Sequence, residues 1–409
     1  MMKCGLLGRK LGHSFSPQIH KKLGSYPYEL YEKEPDELED FLKSGDFTGL
    51  NVTMPYKKAV IPYCTELSKQ ATLLGAVNTI VRRKDGSLIG HNTDYFGFQT
   101  MVHGSDLSVK GKKVLVLGSG GASNTAVAVL KELGADVIVI SRKGENNYSN
   151  LDRHQDAAVI VNATPVGMYP ETGISPVDLS IFPRLEGVLD IIYNPARTKL
   201  LLDAQARGLV AINGLLMLVA QAKESAEWFL GSKLSGKLIQ SIHRDLRRQT
   251  ENIILIGMPG CGKTTVGIKL ADMLGKEFID ADAFLEATYK RSIPDIICND
   301  SEAAFRNMET QVLERLGKRS GLVIATGGGC VTQTQNYPLL HQNGSIFWLK
   351  RDIDQLSTDG RPLSQRGSLE EMYQIRKPMY EHFADYMVSN NSSAVEAAKH
   401  IIKILEDAL

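Results

Sequence analysis

Apolar residues in this chain gather in short runs, many of them β-branched, separated by turn-forming clusters. The runs 4–8, 47–53, 113–117, 136–140, 157–161, 187–192, 253–256, 322–325 and 345–349 each read as a buried strand. Between them lie stretches with helical spacing, at 18–23, 35–43, 124–133, 212–231 and 266–274. Pro17 suits the first turn of the helix that follows it. Asp85-Gly86 is a hairpin turn signal. Strands alternating with helices predict an α/β chain built on parallel sheets. Residues 232–251, with Lys237, Arg244, Arg247 and Arg248, read as a mostly helical polar connector.

Two glycine-rich loops stand directly after strands. Gly257-Met258-Pro259-Gly260-Cys261-Gly262-Lys263-Thr264-Thr265 fits the G-x-x-x-x-G-K-[ST] phosphate-loop pattern. Its glycines let backbone N–H groups turn toward phosphate oxygens. Lys263 can reach the β- and γ-phosphates, and the Thr264 hydroxyl can ligate magnesium at the start of a helix. The other loop, Gly118-Ser119-Gly120-Gly121-Ala122-Ser123, sits in a strand–loop–helix–strand unit of dinucleotide type. Its key positions are Gly118, Gly120 and either Ser123 or, in a shifted register, Ala122. The second strand of that unit ends in Ser141-Arg142-Lys143 and not in an acidic residue, which favours the 2′-phosphate of NADP over the bare ribose of NAD.

A length of 409 residues predicts two or three domains, and the phosphate loop begins too late to serve the first 240 residues. Net charge is +1, from 47 basic and 46 acidic residues, which leaves no electrostatic footprint for nucleic acid. The five cysteines form no C-x-x-C pair, so neither a zinc knuckle nor a disulfide framework is expected. A reducing, cytoplasmic setting fits them. No signal peptide and no membrane span is expected.

Polar clusters mark candidate ligand contacts. Ser14 and Ser16 offer hydroxyls two residues apart, suited to a polyhydroxy or carboxylate ligand. Asn51, Thr53 and Lys57 stand at or just past a strand end, where α/β folds place ligands. Asn92-Thr93-Asp94 precedes an aromatic stretch, and Gln221 is the polar member of an apolar helix. Two further strands end in Asn162-Ala163-Thr164-Pro165 and Tyr193-Asn194-Pro195, both expected beside the nucleotide loop.

Together these peptides, with Gly75-Ala76-Val77-Asn78-Thr79 and Asn213-Gly214, resemble shikimate dehydrogenase over residues 1–231. The resemblance implies a split α/β substrate domain, residues 1–97 completed by 213–240, with a Rossmann-like NADP domain at 98–212 inserted between. It implies that Ser14, Ser16, Thr53, Asn78, Asp94 and Gln221 bind shikimate, with Asn51 beside them and Tyr193 near the ring. Lys57 and Asp94 would be the catalytic pair. Gly118, Ser119, Gly120, Gly121, Ala122, Ser141, Arg142, Lys143, Thr164 and Gly214 would hold NADP(H). Ser119 stands where family members commonly carry alanine.

After a connector at 241–251, residues 252–409 resemble shikimate kinase, which implies a P-loop kinase domain with a parallel sheet. Gly257, Gly260, Gly262, Lys263, Thr264 and Thr265 would bind ATP, with Thr264 and Asp280 serving Mg²⁺. Asp282 would hold and activate the acceptor hydroxyl. Phe305-Arg306-Asn307-Met308-Glu309 matches the helix carrying a carboxylate-binding arginine, here Arg306. Gly327-Gly328-Gly329 would approach the ring, Arg361 would contact the transferred phosphate and Arg376 the carboxylate. The stretch between the strand at 345–349 and Arg361 is shorter than in most relatives. The expected partners are small molecules, 3-dehydroshikimate and shikimate. A second reading keeps both folds and changes the substrates, to quinate and another small hydroxy acid. A third is a repressor without catalysis, as in some fungal proteins that resemble these modules, but Lys57, Asp94, Lys263, Asp280 and Asp282 all remain.

Overall fold

The computed structural model describes residues 2–12, 14–356 and 368–408. The backbone divides into two compact units. The first holds Met1–Val166, Ser175–Tyr193 and Leu200–Asp245; the second holds Gly167–Ile174, Asn194–Lys199 and Leu246–Leu409.

The first unit contains two sheets. One is six-stranded and mixed, in the order β2-β1-β3-β5-β6-β4. Its strands are β1 (Cys4–Gly8), β2 (Tyr28–Glu32), β3 (Gly49–Val52), β4 (Glu66–Leu67), β5 (Thr79–Arg82) and β6 (Leu88–His91). The antiparallel β5–β6 pair is joined through the Asp85-Gly86 turn, as its sequence predicts. The helix Leu215–Leu230 packs against the helices Ser16–Leu23 and Asp94–His103. A late stretch of chain is thereby returned to the first sheet.

The other sheet is five-stranded and wholly parallel, in the order β11-β10-β9-β7-β8. Its strands are β7 (Lys113–Leu117), β8 (Asp136–Ile140), β9 (Val159–Asn162), β10 (Gly187–Asp190) and β11 (Val210–Ile212). The chain leaves β7 toward β8 on one side and returns as β9 on the other. Such a reversal opens a crevice at the carboxyl ends of the two diverging strands.

The sheet of the second unit is also wholly parallel, β13-β14-β12-β15-β16, and is flanked by helices. Its strands are β12 (Asn252–Ile256), β13 (Glu277–Asp280), β14 (Leu322–Ala325), β15 (Gly344–Lys350) and β16 (Tyr386–Ser389). The central β12 buries Ile253, Ile254, Leu255 and Ile256, as a parallel strand covered on both faces must.

The stretch read as a polar connector is one helix, Lys237–Thr250, and the boundary between the units falls inside it. Ile239, Ile242 and Leu246 are buried while Arg244 and Arg248 stay exposed. Three apolar residues at helical spacing are enough to seat one face, although the composition of the stretch is polar. Among the described residues no helix is long and apolar enough to cross a membrane, and the five cysteines are free.

Candidate active sites

In the first unit, the turn after β3 carries Thr53 and Lys57, and the helix Asp94–His103 opens with Asp94. Lys57 Nζ lies 2.6 Å from Asp94 Oδ2, and the side chains are 32% and 18% exposed, so the pair can meet a ligand. Each partner is pinned by its backbone. The Lys57 carbonyl accepts from Val77 N at 2.7 Å, and Asp94 N donates to Asn92 Oδ1 at 3.1 Å.

A buried polar network adjoins this pair. Asn78 Oδ1 accepts from Thr93 N at 2.8 Å, and Asn78 Nδ2 donates to Thr93 Oγ1 at 3.0 Å. Ser225 Oγ, on the helix Leu215–Leu230, lies 2.8 Å from Asn51 Nδ2, 2.8 Å from Thr79 Oγ1 and 2.9 Å from Thr93 Oγ1. The Tyr28 hydroxyl donates to Asn51 Oδ1 at 2.8 Å. Breaking one link would strand a polar group away from water, so such a network resists rearrangement. Asn51 thus has a protein partner at each end of its amide, Tyr28 and Ser225, and braces the network from the strand end.

Gln221 Oε1 accepts weakly from Thr93 Oγ1 at 3.4 Å, while its amide donates to the Leu218 carbonyl at 3.0 Å. Ser14 Oγ accepts from Ser16 N at 3.2 Å, and both serines are partly exposed. Phe15, between them, has its ring 6.0 Å from that of Tyr193. Burial pushes the Tyr193 phenol above its ordinary pKa, so it stays neutral near pH 7.

A cleft of about 680 Å³ lies at the carboxyl ends of β7 and β9, with Gly118, Ser119, Gly120, Ser141, Arg142 and Thr164 in its lining. Gly118 has φ +106°, and a Cβ there would stand 3.0 Å from the Ala163 carbonyl oxygen. Only glycine meets both demands. Ser123 Oγ donates to the Gly118 carbonyl at 2.7 Å. The helix begins at Gly121, and Ser123 is buried as a brace for the loop. The Thr164 hydroxyl donates to Asn162 Oδ1 at 2.7 Å. Gly121, Ala122, Lys143 and Gly214 stand outside the lining of this cleft. At Gly214 the reason for glycine is packing, because a Cβ would lie 1.9 Å from the Ile191 carbonyl oxygen.

In the second unit, a pocket of about 560 Å³ gathers Gly260, Gly262, Lys263, Thr264 and Thr265 with Asp280, Asp282, Arg306, the triplet Gly327-Gly328-Gly329 and Arg376. Gly257 is not in its lining; its carbonyl instead accepts from Lys263 Nζ at 2.9 Å, and the Met258 carbonyl does so at 3.1 Å. Thr264 Oγ1 donates to Asp280 Oδ2 at 2.8 Å. The other oxygen of Asp280 accepts from Asp282 N and Ala283 N, capping the helix Ala281–Tyr289. Among the described residues no cluster of three or more His, Cys, Asp or Glu side chains could hold a metal ion by itself.

Burial, reinforced by the carboxylates of Glu309 and Asp280, pushes the Asp282 carboxyl up to about 6. Arg306 Nη1 donates to Glu309 Oε2 at 2.8 Å. Gly329 is pressed against this guanidinium, since a Cβ would lie 2.2 Å from Arg306 Nη2. Arg376 Nη1 donates to the Gly328 carbonyl at 3.3 Å, and the Tyr380 hydroxyl donates to the same oxygen at 2.5 Å. The two arginines thus meet at one glycine triplet. Arg361 lies outside the described residues.

Several residues of these sites were not singled out in the sequence. Thr79 and Ser225 complete the first network, Tyr148 lines the nucleotide cleft, and Glu309 and Arg351 line the second pocket. Arg351 was findable, because it directly follows a strand that pairs with β12, on the edge where such sheets bind ligands. Ser225 was not, because nothing local distinguishes it from an ordinary helix serine.

Two family models match the chain. One, described as the shikimate dehydrogenase substrate binding domain, matches residues 6–80; the other, described as shikimate kinase, matches residues 259–406. A Clostridium perfringens protein named shikimate dehydrogenase (NADP(+)) is 34% identical over 265 residues, covering 59% of this chain and 97% of its own length. The crystal structure of shikimate dehydrogenase 1 from Peptoclostridium difficile is 38% identical with a TM-score of 0.56, covering 60% of this chain and 98% of that one. The shikimate 5-dehydrogenase of Thermus thermophilus, solved in complex with NADP(H) and shikimate, is 30% identical with a TM-score of 0.55, covering 60% and 99%.

Proposed function

We propose, from the premise that this chain belongs to the shikimate dehydrogenase family and also carries a region matching the shikimate kinase model, that it performs two successive reactions on one carbocyclic acid. The first is reduction of 3-dehydroshikimate to shikimate with NADPH. The second is transfer of the γ-phosphoryl group of ATP to the 3-hydroxyl of shikimate.

The observation that carries the first reaction is the 2.6 Å contact between Lys57 and Asp94 at a partly exposed position. NADPH supplies the hydride to the C3 carbonyl. Lys57 gives the developing alkoxide its proton and, until then, a positive neighbour, while Asp94 orients the ammonium. Ser14, Ser16, Thr53, Asn78, Tyr193 and Gln221 hold the ring substituents, with Asn51 as a support. The tight turn at Gly118 suits close approach of a pyrophosphate, and Arg142 in the cleft lining suits a 2′-phosphate. This observed fit supports NADP(H) over NAD(H).

The second reaction is supported by the pocket around Lys263, Asp282, Arg306 and Arg376. ATP with Mg²⁺ supplies the phosphoryl group. A hydroxyl and a carboxylate already 2.8 Å apart, at Thr264 and Asp280, suit a hard cation that shares its shell with phosphates and water. Asp282 accepts the proton of the attacking hydroxyl, which leaves the oxygen free to bond phosphorus. Arg306 and Arg376 take the carboxylate through planar donors. Arg361 is assigned the transferred phosphate on its motif alone.

The test is one assay with 3-dehydroshikimate, NADPH, ATP and Mg²⁺, following NADPH oxidation and shikimate 3-phosphate together. The expected result is stoichiometric loss of NADPH followed by formation of the phosphate ester. NADPH oxidation without ADP formation keeps the first reading and overturns the second. A strong preference for quinate in place of shikimate overturns the substrate assignment.

A further inference from the structure

Strand β15 ends at Lys350, and Arg351 follows it into the second-unit pocket. Its Nη1 lies 4.0 Å from where a Cβ on Gly262 would stand. The surrounding backbone is held firmly. Asn390 N donates to the Lys350 carbonyl at 2.8 Å, Asp352 N donates to Asn391 Oδ1 at 2.9 Å, and Asn390 Nδ2 donates to the Cys261 carbonyl at 2.7 Å. These bonds tie the segment after β16 to the end of β15 and to the glycine-rich loop.

Arg351 Nε is buried without a hydrogen-bond partner. Among the described residues its guanidinium is in no ion pair, in contrast to Arg306, which has Glu309 and Glu302. A permanent charge kept partly out of water with no counter-ion costs stability unless an anion arrives. Position says which anion. Gly262 immediately precedes the helix Lys263–Leu274, whose free N–H groups attract phosphate. The other two pocket arginines gather at Gly328 and Gly329 and are accounted for by the carboxylate of the acid.

We propose that Arg351 binds the polyphosphate of ATP from the Gly262 side of the pocket, as a nucleotide contact distinct from Arg306 and Arg376. This rests on the kinase reading of the second unit. The guanidinium fork bridges two phosphate oxygens, and Lys263 reaches the same chain of phosphates from within the loop.

The experiment is titration of the full chain with ATP, with adenosine and with shikimate, comparing wild type, Arg351→Ala and Arg351→Lys. Arg351→Ala is expected to weaken ATP binding about 10–100-fold and leave adenosine and shikimate within about twofold, the range for loss of one charge-assisted contact. Arg351→Lys should recover part of the loss, since it restores charge without the fork. Unchanged shikimate affinity reports that the pocket is still folded. Unchanged ATP affinity, or a loss confined to shikimate, overturns the proposal. Loss of adenosine affinity equal to that of ATP moves the contact to the base and overturns it as stated. A wild-type chain that binds ATP yet transfers no phosphate removes the kinase reading alone, because these titrations need no turnover. A wild-type chain that binds no ATP removes both.

Discussion

Each candidate site turns on a lysine, and the two lysines are held in opposite ways. Lys57 rests on a carboxylate, Asp94, at 2.6 Å. Lys263 rests on two carbonyl oxygens of its own loop, Gly257 and Met258, at 2.9 and 3.1 Å. A lysine balanced by a carboxylate makes a neutral pair, suited to lend a proton to an uncharged carbonyl. On the proposed kinase reading, phosphate oxygens take the place of the dipoles around Lys263. The acids differ in the same sense. Asp94 is paired with one cation at a partly exposed position, whereas Asp282 is pushed up to about 6 by burial and by Glu309 and Asp280, against the opposing charges of Lys263 and Arg306. On the proposed functions, the first site meets a neutral carbonyl and the second an anionic phosphate.

The largest effect should come from Lys263, the lysine inside the glycine-rich loop of the second-unit pocket. Lys263→Ala is expected to lower phosphoryl transfer by at least about 10³-fold, the scale seen when a phosphate-stabilising cation is lost. NADPH-dependent reduction by the same protein should hold within about twofold. Coupled kinetics of both reactions check this, and a parallel fall in the two would break the contrast.

Lys57→Ala should cost the reduction about 10²–10⁴-fold, the range for a general acid. NADPH affinity and phosphoryl transfer should be close to wild type. Single-turnover hydride transfer measures it, and a variant retaining about a third of wild-type turnover is incompatible with a general-acid role.

Asp282 sharpens the contrast through pH. Because its folded pKa is raised above the ordinary aspartate value, the ionised carboxylate is disfavoured in the folded state. That penalty is present above about 6 and fades as pH falls toward 4. Asp282→Asn should therefore stabilise the second unit at pH 7, by on the order of 2 kcal/mol, with no gain at pH 4. The same change should slow phosphoryl transfer about 100-fold. Wild-type transfer should decline with a midpoint near 6 as the base is protonated. Thermal melts and a pH–rate profile test both halves, and equal melting gains at pH 4 and pH 7 would contradict them.

The smallest effect concerns cofactor choice. Arg142→Ala should weaken NADPH about 10–100-fold, the scale of one charge-assisted contact, and NADH hardly at all. Equal weakening of both cofactors would show that Arg142 does not read the 2′-phosphate.

Much of this architecture was readable along the chain. The runs at 113–117 and 136–140 match β7 and β8, and the two glycine loops follow strands as their patterns require. Asp280 ends β13 and caps the helix Ala281–Tyr289, whose first turn carries Asp282. The stretch expected to be mostly helical is the helix Lys237–Thr250, and Ile239, Ile242 and Leu246 are buried in it although its composition is polar.

What the sequence by itself determined is therefore local: where strands stop, which loops lack side chains, and which cations and acids stand at those edges. These follow from spacing and from backbone freedom within a few residues. Which of the polar groups remain free for a ligand was decided only by the tertiary structure. Asn51 is taken by Ser225, 174 positions away, and Tyr28 is drawn onto its other end. Arg306 finds Glu309, while Arg351 finds no acid among the described residues. Hydrogen-bond and charge partners come from distant parts of the chain, so spacing along the sequence does not show which polar groups are already engaged.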